Sequence, residues 1–180
     1  MMNDDVLALQ QRIQELENQL AAVRQPPEVE RASLAQGNDP VKLRFTFAMR
    51  DNSKGYLDSD HPLNLEQDLE CTWNDVFRYL APHLETGLPE ITLRNVLARF
   101  GDEHVPLNIR NRSDNYKLFS ARITTPAFST IKIQFIALGL IESFRNESGL
   151  HRLTSWRLTP AGRTEMYKLY AVKKSDLTAR

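Results

Sequence analysis

The first 24 residues carry apolar side chains at alternating intervals of three and four. This spacing is a heptad seam, and it predicts an amphipathic coiled-coil helix over residues 4–24. β-Branched residues predominate at the a positions and leucine at the d positions, which favours a parallel dimer. The alternative is one amphipathic helix that packs on its own domain. The residues expected to mediate dimerisation are Val6, Leu9, Ile13, Leu16, Leu20 and Val23.

A polar linker, residues 25–40, follows the predicted coil. The Pro26-Pro27 pair ends the helix, and the rest of the linker has no apolar periodicity. Because the linker separates the coil from any core, we favour self-association of the coil over packing on the same chain. The Met-Met start would also suit an initiator added to a fragment of a longer protein.

Beyond the linker, residues 41–174 have the patterns of a folded domain, followed by a tail at 175–180. Alternating apolar positions predict strands over 41–47 and 63–71. The segment between these strands is rich in turn-forming residues. We therefore expect the two strands to form a hairpin with a long tip.

Two helices are predicted next from their end signals. Thr72 and Asp75 have the spacing of a capping box at the start of the first helix. Thr92 is expected to cap the second helix, and Gly101 to end it. The following segment, 102–124, is long and poorly periodic. It is expected to be either a loop with a functional surface or an irregular insertion.

A third helix is predicted over 126–138, ended by Gly139. Residues 140–144 and 155–159 are expected to pair as a two-stranded wing. Thr159 and Pro160 then open a last helix as its N-cap and its first residue. The expected fold class is α+β, with a coiled-coil helix, a linker, a β-hairpin, three helices, a wing and a C-terminal helix.

The end of the chain resembles a known family. The motifs LGLI at 138–141 and W-x-L-T-P-x-G at 156–162 are similar to the helix-wing ending of winged-helix domains, including bacterial regulators of the MarR type. A closer resemblance covers 41–174, and relates it to the C-terminal tail of bacterial sensor- or defence-type proteins whose N-terminal half is a domain of unknown function. This resemblance implies a winged-helix-like fold and carries over no catalytic residues. Its further motifs are TW-x-DVF at 72–77, AP at 81–82 and IQF-x-AL at 133–138.

The formal net charge of zero argues against a generally basic, nucleic-acid-coating surface. The charge is unevenly distributed, however. Residues 1–100 contain ten Lys/Arg and sixteen Asp/Glu, which gives −6, and residues 101–180 contain thirteen and seven, which gives +6. The C-terminal half could therefore face an acidic partner, or the two halves could attract each other.

The helix 126–138 is the candidate recognition element. On a helical wheel, Phe128, Ile131, Phe135 and Leu138 share one sector and are expected to be buried. The opposite face has no arginine, and an exposed isoleucine more often marks a contact with protein than with a base. The candidate contacts to a partner or to DNA are Ser129, Thr130, Lys132, Ile133, Gln134 and Ala137 on the helix, and Arg145, Arg152 and Arg157 on the wing.

The sequence offers little for catalysis. Cys71 is the only cysteine, and the four histidines lack metal-ligand spacing. No nucleophile elbow, phosphate loop or dinucleotide fingerprint is present. We therefore expect no enzymatic activity, no catalytic residues, no bound metal and no cofactor. No apolar run is long enough to span a membrane, and the sequence shows no signal peptide. A cytoplasmic protein without membrane contact is therefore expected.

Two functional hypotheses remain. In the first, the domain is a non-catalytic winged-helix interaction module, self-associated through the coil, and it binds a protein partner or a missing sensor domain. It would then be the regulatory or assembly part of a sensor- or defence-type protein. In the second, a dimer binds duplex DNA through the helix 126–138 and the wing 140–159. We favour the first hypothesis.

Overall fold

The structure is a computed structural model that describes residues 10–16, 31–51, 63–107, 116–146 and 153–171. This part of the chain is mixed α+β, with two small antiparallel sheets. The strands are β1 (Pro40–Asp51), β2 (Leu63–Thr72), β3 (Leu88–Pro89), β4 (Tyr116–Ile123), β5 (Ile141–Asn146) and β6 (Leu153–Leu158). The helices are α1 (10–16), α2 (Trp73–Leu84), α3 (Glu90–His104), α4 (Thr125–Ala137) and α5 (Pro160–Tyr170).

The N-terminal seam is described only in part. Residues 10–16 are helical, and Ile13 and Leu16 are both exposed. The other seam positions, Val6, Leu9, Leu20 and Val23, lie outside the described residues. Pairing of the coil therefore stays a prediction.

The first sheet has the strand order β2-β1-β4. The hairpin of β1 and β2 is antiparallel, with Val41 opposite Cys71 and Phe47 opposite Leu65, which confirms the predicted strand pair. Its tip, 52–62, lies outside the described residues. On the solvent face of the hairpin, Arg44 Nε lies 2.8 Å from Asp68 Oδ1, one of several exposed ion pairs there.

The expectation of an irregular segment over 102–124 was wrong in its second half. Residues 116–123 form β4, which pairs antiparallel with β1. The register shifts after Phe47, and Ser120 at this bulge has a positive φ of 52°. The bulge places the Ala121 amide beside α3, where it donates to Asp102 Oδ1 at 2.8 Å. Because a bulge interrupts the alternation of a strand, the period-two signal is weak here.

Helix α2 begins as predicted, but α3 does not. Thr72 and Asp75 form a complete capping box at the start of α2. In contrast, α3 starts at Glu90, so Thr92 lies inside it, and no side chain caps its N-terminus. Gly101 also lies inside α3, which continues to His104, and it packs closely against Phe45 of the first sheet.

The second sheet has the order β3-β6-β5. Strands β5 and β6 pair antiparallel, with Ile141 opposite Leu158, which confirms the predicted hairpin at the C-terminal end. The short β3 adds Leu88 opposite Trp156. A two-residue strand is below the length at which sequence alternation can reveal it.

The predicted start of α5 is confirmed. The Thr159 hydroxyl accepts a hydrogen bond from the Gly162 amide at 3.0 Å and donates one to the Gly139 carbonyl at 2.5 Å. The same side chain therefore caps α5 and holds the end of α4. No helix in the described ranges is long and apolar enough to cross a membrane.

One hydrophobic core joins the inner faces of both sheets with α2, α3, α4 and α5. Its interior is strongly aromatic, and the aromatic side chains come from both sheet and helices. The phenylalanines that are almost completely buried are Phe45, Phe47, Phe77, Phe100, Phe128 and Phe135.

Candidate functional site

Helix α4 is the candidate site, and both of its ends are fixed by hydrogen bonds. At its start, the amide and hydroxyl of Thr124 each donate to the Arg44 carbonyl at 3.1 Å, which ties the helix to β1. At its end, Gly139 has a φ of 70°, and the Leu140 amide donates to the Phe135 carbonyl at 2.8 Å. This is the Schellman arrangement, which glycine favours because it has no Cβ. The predicted glycine stop is confirmed.

The predicted inner face of α4 is confirmed as well. Phe128, Ile131 and Phe135 are almost completely inaccessible, and Leu138 is buried. The ring of Phe135 meets Trp73 and Phe77 of α2 edge-on, with centroid distances of 5.7 Å and 5.3 Å. Edge-to-face contacts of this kind favour one orientation of α4 on the core. The opposite face is therefore held in a defined direction.

The outer face of α4 presents isoleucine to solvent. Ile133 is 65% exposed and Ile136 is 41% exposed. Residues three and four apart on a helix are neighbours, so these two side chains adjoin one another and Ala137, Thr130 and Ser129. Thr130 is exposed, and its hydroxyl donates to the Pro126 carbonyl of its own helix at 3.0 Å. We call this surface the α4 ridge: Ser129, Thr130, Ile133, Ile136 and Ala137.

Gln134, a candidate contact to a partner or to DNA, makes a hydrogen bond within the domain. Its Nε2 donates to the Ala35 carbonyl at 2.5 Å. Ala35, in the linker end formed by residues 31–39, thus contacts α4. The Asn74 amide donates to the Gly37 carbonyl at 2.7 Å, which satisfies a free amide at the start of α2. Gln134 is thereby used in fixing the linker to the domain.

Lys132 is also engaged within the domain. Only 19% of its side chain is exposed, and its Nζ lies 2.9 Å from Glu90 Oε2. The ammonium sits between two rings, 4.8 Å from the centroid of Phe128 and 5.1 Å from that of Trp156. Trp156 Nε1 donates to the same Glu90 oxygen at 3.2 Å. Lys132 therefore joins α4 to α3 and β6 and does not project toward a ligand.

The hydrogen bond from Lys132 lowers the pKa of Glu90, and the bond from Trp156 adds to this effect against the opposing cost of burial. Glu90 is thus held as a carboxylate opposite a cation. Arg94, on the same helix, lies with its guanidinium 4.0 Å from the Phe128 centroid. The sequence pattern did not identify Glu90, because its partners are 42 and 66 positions away.

The β5–β6 hairpin, predicted as a wing, contributes one candidate arginine whose side chain the structure describes. Arg157 Nε lies 2.8 Å from Glu142 Oε1 across the β5–β6 pair, and its guanidinium lies 5.2 Å from the Phe144 centroid. Such an exposed cross-strand pair contributes little to stability but reduces the local positive charge. Arg145 belongs to β5, but its side chain lies outside the described part of the structure, as does all of Arg152.

The described residues offer no group of three His, Cys, Asp or Glu side chains that could hold a metal ion. Cys71 is half-buried with its Sγ 3.9 Å from the Val41 carbonyl, and burial raises the pKa of its thiol to about 11. A cavity of about 160 Å³ lies between the linker end at Gly37 and the rings of Trp73 and Phe135. This volume is well below the roughly 300 Å³ at which ligand pockets begin. An open cleft of about 430 Å³ lies between charged side chains of β1 and β2 and Thr130 of α4.

The candidate residues therefore divide into two groups. Lys132, Gln134 and Arg157 are used in contacts within the domain, whereas Ile133 lies open to solvent beside Ile136. Ile136 was missed because it lies to one side of the predicted outer sector. Compared with protein-family models, curated proteins and solved structures, the chain gives no match in any of the three.

Proposed function

We propose that this chain is a non-catalytic interaction module of the winged-helix type, self-associated through its N-terminal coil, and that the α4 ridge binds protein. It would serve as the regulatory or assembly part of a bacterial sensor- or defence-type protein. The winged-helix assignment is supported by the order of elements. Helix α4 leads directly into the β5–β6 hairpin, β3 adds to that hairpin, and α5 follows.

One observation on α4 carries this proposal: an isoleucine is exposed to solvent, while the cation beside it is neutralised by an ion pair. Ile133 is 65% exposed, whereas Lys132, the one basic residue of the helix, is paired with Glu90. DNA-binding surfaces use free Lys and Arg for phosphates and free amide or guanidinium groups for bases. An uncharged apolar ridge instead fits the buried centre of a protein interface.

Duplex-DNA binding is the competing function, and the full chain distinguishes the two in one measurement. We expect retention on a random duplex and on heparin to be weak and to end at low salt. The double variant Arg152→Ala with Arg157→Ala should elute with the wild type. Binding that falls steeply with salt and is lost in this double variant would overturn the proposal in favour of DNA.

The coil is tested by sedimentation of the full chain. Leu16→Pro breaks the helix within the seam and should convert a dimer into a monomer. Gln11→Asp provides the matched control, because Gln11 lies on the same helical stretch but outside the seam. This variant should keep the mass of the wild type. A wild-type chain that sediments as a monomer would contradict the coil.

A further inference from the structure

We infer that the partner of the α4 ridge is the α4 ridge of a second copy of this chain, held in place by the coil. This inference rests on the proposed function, because it names the protein that the ridge binds. Three features of the described residues support it: where the linker meets the domain, the absence of charge on the ridge, and the small size of the ridge.

The linker meets the domain beside the ridge. Gln134, next in sequence to Ile133, donates to the Ala35 carbonyl at 2.5 Å, and Leu34 packs against the core. The last seam position is Val23, and the described linker end begins at Arg31. The eight steps between them can span no more than about 29 Å. A coil at the N-terminus therefore limits how far the linker end on α4 can lie from it.

In a parallel coil, both linkers leave from the same end. Two α4 ridges would then lie within reach of each other, at an effective concentration in the millimolar range that short linkers produce. An antiparallel coil would send the two linkers to opposite ends. The seam pattern favours the parallel arrangement.

The chemistry of the ridge suits contact with a copy of itself. In a two-fold interface each residue faces the same surface of its partner, so a charged ridge would place like charges together. Ser129, Thr130, Ile133, Ile136 and Ala137 carry no charge. The adjacent cation, Lys132, is neutralised by Glu90 at 2.9 Å. Two such ridges therefore bring no like charges of their own together.

The ridge is small, since only two large apolar side chains project from it. A stable interface between separate proteins buries about 800 Å² on each partner. One or two turns of a helix provide less than this area. We therefore expect the ridges to pair only when the coil holds them together. Without the coil, the domain should not dimerise through α4.

The experiment is cross-linking of single-cysteine substitutions in the full chain with a short bis-maleimide. Ile133→Cys and Ile136→Cys place thiols on the ridge. Ile91→Cys and Tyr167→Cys are matched controls, because Ile91 is 63% exposed on α3 and Tyr167 is 56% exposed on α5. The native Cys71 is half-buried and common to all variants. We expect covalent dimer to form at least about tenfold faster from the ridge positions than from the controls.

Two further variants make the result specific. Leu16→Pro combined with Ile133→Cys should remove the cross-link, because the ridges are no longer tethered. Ile136→Asp combined with Ile133→Cys should also remove it by placing like charges across the two-fold axis, while the sedimenting mass stays that of a dimer.

The outcomes separate this inference from the proposed function. If the full chain is a dimer and the ridge positions cross-link no faster than Ile91→Cys and Tyr167→Cys, the second copy is not the occupant. A different protein would then bind the ridge, and the proposed function would stand. A monomeric full chain would instead remove the coil on which both depend.

Discussion

Phe45 of β1 lies against Gly101 of α3 so closely that a Cβ on Gly101 would come within 2.6 Å of its ring. The same Cβ would be 2.9 Å from the Ala121 Cβ of β4. The glycine therefore lets α3 approach the first sheet, and it stays inside the helix despite its low helix propensity. A close approach, and not a helix end, explains this residue.

We predict that Gly101→Ala destabilises the domain. Alanine favours the helix by about 1 kcal/mol, but overpacking of this contact should cost about 1–3 kcal/mol and exceed that gain. Asn95→Ala on the exposed side of α3 is the control and should be neutral or slightly stabilising. Urea denaturation followed by circular dichroism measures both. A Gly101→Ala chain as stable as Asn95→Ala would contradict the assigned packing.

Thr159 connects the end of α4 with the start of α5, since its hydroxyl bonds both the Gly139 carbonyl and the Gly162 amide. We predict that Thr159→Val, which keeps the shape and removes both hydrogen bonds, lowers the free energy of unfolding by about 1–2 kcal/mol. Thr159→Ser keeps the hydroxyl and should recover most of this loss. Equal urea midpoints for the valine and serine variants would show that the hydroxyl is not responsible.

The sequence signals that predicted the fold correctly are local ones. The capping box of Thr72 with Asp75, the glycine end at Gly139 and the Thr159 cap depend on residues within a few positions of one another, and all three were predicted correctly. Strand β4 depends instead on pairing with β1, about 70 residues earlier, and on a bulge at Ser120. Such pairing leaves little trace in a short window of sequence.

In the candidate site, too, local patterns were predicted correctly and contacts between distant residues were not. Periodicity alone identified the buried stripe of α4 and the exposure of Ile133. It could not reveal that Lys132 is paired with Glu90 or that Gln134 bonds the linker end, because both partners are distant in sequence. These contacts decide which polar side chains of α4 remain available. The sequence therefore predicted the shape of the site better than its chemistry.

Cys71 should react slowly in the folded chain. Burial, with a smaller contribution from the charge of Asp75, raises the pKa of its thiol from 9.0 to about 11. Only the thiolate is alkylated, so the reactive fraction at pH 8 should be roughly a hundredfold lower than in the unfolded chain. Rates of iodoacetamide labelling in buffer and in urea, followed by mass spectrometry, measure this ratio. Because the chain has one cysteine, the label reports one site, and equal rates would contradict the assigned burial.

Pairing of Glu90 with Lys132 should make its contribution to the free energy of unfolding decrease as the pH falls. The pKa of Glu90 is held below its ordinary value of 4.5 by the hydrogen bond from Lys132 and then by that from Trp156. A carboxylate whose pKa is lower in the folded than in the unfolded chain stabilises the fold at pH values above its unfolded pKa. This stabilisation disappears as the pH falls through the folded pKa.

We therefore predict that Glu90→Gln is less stable than the wild type at pH 7, and that the difference in urea midpoint narrows between pH 5 and pH 3. Glu85→Gln, at an exposed position at the end of α2, is the control for loss of one carboxylate outside this pair. Its difference in urea midpoint from the wild type at pH 7 should be small. A Glu90→Gln deficit that is equally large at pH 7 and pH 3 would mean that packing of Glu90, and not its charge, holds α4 against α3 and β6.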